Sequence, residues 1–68
     1  MDDTEKLPVL IHHWVEHNNS HKAEFEKWAQ RASELGLQDA GNAIRTAAAR
    51  LEEASACLQQ ALQDLNTN

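Results

Sequence analysis

Apolar residues recur at helical spacing along two long tracts of this chain, separated by a short break. The first tract holds Leu7, Leu10, Ile11, Trp14, Phe25, Trp28, Ala29, Ala32 and Leu35. The second holds Ala40, Ile44, Ala47, Ala48, Leu51, Ala54, Leu58, Ala61, Leu62 and Leu65. No alternating run of β-branched or aromatic residues marks a strand. The pattern predicts an all-α chain: one helix over about 8–35, a turn over 36–39 and a second helix over about 40–65.

Local signals set those limits. Pro8 suits the first turn of a helix, where its missing N–H costs nothing. Gly36 followed by Leu37 has the form of a Schellman stop, and Asp39 then serves as the N-cap of the second helix. The tail Asn66-Thr67-Asn68 is expected to fray. Asn18-Asn19-Ser20 is the weak point of the first helix, because these residues prefer caps to helix interiors. Ile11 and Trp14 nonetheless stay in phase with Phe25 and Trp28 when about 100° per residue is carried through the gap. The first helix is therefore expected to be continuous.

A link of this length makes the helices antiparallel neighbours in a single hairpin domain. Large residues of the first helix then face small ones of the second, Trp28 level with Ala47 and Trp14 with Ala61. With 68 residues and much of its 41% apolar content in alanine, one hairpin leaves both ridges poorly covered. Pairing of two hairpins about a two-fold axis into a four-helix bundle is the expected remedy.

Charge and cysteine content narrow the partners. A net charge of −5 argues against nucleic acid, which is bound by clustered Lys and Arg, and against a basic membrane-surface helix. No apolar run approaches the roughly 20 residues that span a bilayer. The acidic start, Met1-Asp2-Asp3-Thr4-Glu5-Lys6, lacks the pattern of a signal peptide. Cys57 is the single cysteine, which fits a reducing cytoplasm. It falls beside Arg50 and Asp64 on a solvated side, where it is a bystander or, failing that, a soft metal ligand.

The candidate chemistry lies in His12-His13-Trp14-Val15-Glu16-His17-Asn18-Asn19-Ser20-His21, which holds all four histidines. His13, His17 and His21 are spaced i, i+4, i+8, so a helix stacks them on one side, about 6 Å from turn to turn. On a wheel centred on Trp14, His21 falls inside the apolar stripe, Asn18 to its other side and His17 at its edge. His13 and Glu24 lie further out, and His12 faces away. His13, His17, His21 and Glu24 supply N,N,N,O donors, which suit Zn, Ni, Cu or Fe better than Mg or Ca. Residues two turns apart are about 11–12 Å apart along the axis, so His13 is auxiliary. The expected ligands are His17 and His21, completed by Glu24 or by a second chain. The alternative is structural: His17, Asn18 and His21 form a buried polar layer that fixes register and oligomeric state.

The string His13-Trp14-Val15-Glu16-His17-Asn18, continued by His21, Phe25, Trp28 and Ala29, resembles a group of short prokaryotic helical domains. Their pattern is H-W-x-x-H-N-x-x-H-x-x-x-F-x-x-W-A ahead of an Ala/Leu-rich helix, and the likeness runs from about Leu10 to Leu65. It implies that the His, Trp and Asn positions act as one motif, without choosing between ligand and structure.

Two function classes follow. One is a small cytoplasmic protein that binds or handles a late transition metal. The other is a non-catalytic oligomerisation or protein-interaction module. An enzyme is not expected, since no nucleophile triad, acid/base pair or phosphate loop is visible.

Overall fold

The computed structural model describes residues 2–66 and consists of two α-helices, α1 (Asp3–Glu34) and α2 (Gln38–Asn66). The expected fraying of Thr67 and Asn68 lies outside the described residues. α1 starts five residues before the expected point, because Asp2 caps it: its Oδ1 accepts the Glu5 N–H at 2.9 Å. Pro8 therefore sits in the second turn, where it leaves the Thr4 carbonyl without an N–H. The helix runs unbroken through Asn18-Asn19-Ser20, as the phase of its apolar residues predicts.

The turn follows the glycine. Gly36 takes φ +81°, the left-handed conformation. The Leu37 N–H reaches the Ala32 carbonyl at 2.9 Å and the Gly36 N–H reaches Ser33 at 3.0 Å, the two bonds of a Schellman motif. α2 begins at once, with the Gly41 N–H on the Leu37 carbonyl at 2.9 Å. Asp39 thus belongs to the first turn of α2 rather than capping it, and there it complements the helix dipole.

The residues turned toward the partner helix follow a strict 3-4 alternation. On α1 they are Pro8, Ile11, Val15, Asn18, Lys22, Phe25, Ala29 and Ala32; on α2 they are Gly41, Ile44, Ala48, Leu51, Ser55, Leu58, Leu62 and Leu65. That repeat averages 3.5 residues, the spacing of a coiled-coil seam. Near the turn the seam is built of small residues, and the helices almost touch. A Cβ on Gly41 would lie 3.0 Å from both the Ala29 carbonyl oxygen and Ser33 Oγ.

This closeness corrects the expected packing. Trp14 and Trp28 flank the seam rather than enter it and stand at the rim, 42% and 52% exposed. The stripe that faces α2 is centred between Ile11 and Val15 rather than on Trp14. Among the described residues the buried apolar core is Ile11, Ala29, Ala32 and Ala48. The molecule is a flat rod of 50 × 19 × 12 Å, one helix thick. Its radius of gyration is 15.6 Å, against about 11 Å for a compact globule of this length.

One broad face of the rod is polar and cross-linked. Arg45 donates to Ser33 Oγ at 3.2 Å and to Gln30 Oε1 at 3.5 Å, and Lys22 pairs with Glu52 at 3.5 Å. These exposed contacts contribute little individually, about 0–1 kcal/mol for the ion pair.

Two substitutions test the seam. Ser55 Oγ is buried without a hydrogen-bond partner, so Ser55→Ala should raise stability by about 1 kcal/mol and the melting temperature by roughly 4–8 °C. Gly41→Leu should lower stability by about 1–3 kcal/mol through overpacking. Thermal denaturation followed by circular dichroism reads both.

Candidate functional site

The four histidines lie on the outside of α1, and all are exposed. This corrects the inward placement of His17 and His21. The reason is the phase of the seam: once Asn18 and Lys22 face α2, His17 and His21 are turned to its flank. Of the expected polar layer, only Asn18 stays in the inter-helix seam, half-buried.

The rings nevertheless form a ladder. His13 and His17 have centroids 5.9 Å apart, tilted by 53°. His17 and His21 are closer, 4.7 Å apart and stacked at 27°. His21 continues to Phe25 at 6.1 Å. The ladder therefore runs from solvent to the half-buried ring of Phe25. His13 sits at its outer end in a shallow depression shared with Glu16, His17 and Ser20.

Glu24 is engaged on its C-terminal side, by Trp28. Its Oε1 accepts the Trp28 indole N–H at 3.2 Å. Among the described residues no group of three or more His, Cys, Asp or Glu side chains lies close enough to hold a metal ion. A single chain thus offers two neighbouring imidazoles and one carboxylate engaged by Trp28. Cys57 is exposed.

The histidines are embedded in a second seam. Leu7, Trp14, His21, Trp28 and Leu35 follow one another at intervals of seven, and all are exposed. Leu10, His17, Glu24 and Arg31 fill the adjacent row. On α2 the matching edge is Ala40, Ala47, Ala54 and Ala61, also seven apart. The polar cross-links between Arg45, Ser33 and Lys22–Glu52 mark the opposite edge of both helices. In an antiparallel pair the edges on one side face each other, so these two rows share the other broad face. The interval of seven is present in the sequence, but a wheel centred on Trp14 turns both tryptophans toward α2 and merges this row with the core stripe.

Residues 7–65 match the Domain of unknown function (DUF8180). The chain belongs to this DUF8180 family. An uncharacterized protein of Archaeoglobus fulgidus is 34% identical over 58 residues, which cover 85% of this chain and 92% of that protein. No solved structure matches the chain at a significant level. The DUF8180 match spans both helices and the whole His-Trp motif. Among the described residues no helix is long and apolar enough to cross a membrane.

Proposed function

We propose that this DUF8180 chain is a non-catalytic self-association module, whose Trp-His face joins two hairpins into a four-helix bundle. One observation carries the reading: Leu7, Trp14, Trp28 and Leu35 are 38–58% exposed on one face of a rod whose buried apolar core, among the described residues, is one isoleucine and three alanines. A hairpin so thin has little apolar burial to offset its ordering entropy. Covering a half-exposed Trp or Leu contributes on the order of 1 kcal/mol, and a symmetric contact covers four on each copy. Exposed aromatic side chains flanked by polar ones are the usual anchors of protein interfaces.

A second reading is favoured by the His17–His21 stack. Two imidazoles 4.7 Å apart on one helix face are within reach of a single late transition-metal ion such as Zn, Ni, Cu or Fe after small rotations of their side chains. In this reading the protein binds or handles metal, with His17 and His21 as the principal ligands and His13 and Glu24 auxiliary.

Tryptophan fluorescence tests the first reading. Emission should shift to shorter wavelength as concentration rises and the rings leave water, with the molar mass doubling in parallel by light scattering. Trp14→Ala and Trp28→Ala should each weaken association by roughly tenfold to a hundredfold. Emission and mass that stay monomeric at millimolar chain overturn it. Thermal melting with Zn²⁺, Ni²⁺ or Cu²⁺ tests the second. An ion at 100 times its dissociation constant adds about 2.7 kcal/mol, a gain that His17→Ala and His21→Ala should abolish. An unchanged melt with all three ions overturns it.

A further inference from the structure

The exposed seam of α1 reads the same in both directions. Leu7, Trp14, His21, Trp28 and Leu35 are symmetric about His21. In the adjacent row, His17 and Glu24 straddle the same point. A two-fold contact demands this self-complementarity, because residue i must meet j wherever j meets i. Two α1 helices laid antiparallel across an axis at His21 bring Leu7 to the partner's Leu35 and Trp14 to the partner's Trp28. His21 meets its own copy. His17 comes level with the partner's Glu24, an imidazole beside a carboxylate. A parallel pairing would instead set Glu24 against the partner's Glu24 and leave both imidazoles facing each other. On α2 the level of His21 is that of Ala54, so the same axis sets Ala47 opposite the partner's Ala61. Small side chains there let the two layers close.

We infer that a second copy occupies this face in that antiparallel register, and that the pair creates two equivalent sites for a divalent late transition-metal ion. Each site takes His17 and His21 from one chain and Glu24 from the other. The inference rests on the self-association reading and adds to it a ligand and a register. Three observations carry it. His17 and His21 already stand 4.7 Å apart. No third donor joins them within the chain, among the described residues. The indole of Trp28 engages Glu24 Oε1 at 3.2 Å and so holds the carboxylate along the helix on this same exposed face. Two imidazole nitrogens and one carboxylate oxygen form a donor set common at zinc sites with an open position. The Trp28 N–H then orients the ligating carboxylate from behind, as outer hydrogen bonds do at metal centres. His12 and His13 lie outside these sites.

Mixing two impaired full-length variants tests the inference, with Zn²⁺ as the probe and titration calorimetry and light scattering as the readouts. The double variant His17→Gln/His21→Gln keeps Glu24, and Glu24→Gln keeps both histidines; glutamine preserves size and polarity, and circular dichroism confirms folding. Wild type should bind one Zn²⁺ per chain and dimerise about tenfold more tightly with the ion than without it. Each variant alone should bind Zn²⁺ at least about tenfold more weakly. Their mixture should regain a high-affinity class, because a mixed dimer assembles one intact site from the two chains. A wild type that binds Zn²⁺ while the mixture recovers nothing places the ligands within one chain and overturns the inference. A wild-type dimer indifferent to Zn²⁺ overturns it too, and leaves self-association standing. A wild type that is monomeric at every concentration, with and without Zn²⁺, overturns the self-association reading itself.

Discussion

The closeness of α1 and α2 near the turn governs what every other side chain can do. Gly41 lies against the Ala29 carbonyl and Ser33 Oγ with no space for a Cβ beyond contact distance. Ala29, Ala32 and Ala48 continue the same narrow contact. Two helices held this close pack well through small side chains but cannot enclose an indole. Trp28, level with this contact, therefore stands at the rim, 52% exposed, while Phe25 keeps its place in the seam. Further along the rod the phase of the seam does the same: with Ile11, Val15, Asn18 and Lys22 toward α2, Trp14, His17 and His21 stand outside it.

The two broad faces of the rod differ in kind. One carries Arg45, Lys22 and Glu52 in contacts that bridge the helices. The other carries a row of large apolar and imidazole side chains on α1 beside a row of alanines on α2. The first face is satisfied by its own cross-links and by water. The second holds both tryptophans half in solvent, the observation from which self-association is proposed. The His17–His21 stack lies midway along that second face.

Much of this architecture is legible in the residues. Apolar spacing gives two helices, Gly36-Leu37 gives the stop, and the phase shared by Ile11 and Phe25 carries α1 through Asn18-Asn19-Ser20. The level of each tryptophan against α2 also follows from chain length alone. The azimuth does not. Trp14 and Trp28 dominate any hydrophobic average, and they pull the apparent stripe toward the rim. Asn18 and Lys22, which face α2, dilute the true one. A 100° wheel adds an error of its own, since a 3.5-residue repeat drifts about 20° per heptad against it. The start of α1 differs for a simpler reason: Asp2 caps it through the Glu5 N–H ahead of the first apolar residue, where periodicity carries no signal. The placement of the histidines inherits the azimuthal error, while their mutual stacking, set by i, i+4 spacing alone, does not.

In the proposed pair, the Trp-His seam of α1 meets its own copy in the antiparallel sense. Trp14 and Trp28 of one chain are fourteen residues apart on a continuous helix, about 21 Å along its axis. That separation is far too great for a nuclear Overhauser effect within the chain. An isotope-filtered experiment on an equal mixture of labelled and unlabelled protein therefore reports only contacts between copies. The account predicts cross-peaks between the Trp14 indole of one chain and the Trp28 indole of the other. A dimer in which those cross-peaks are absent would contradict it.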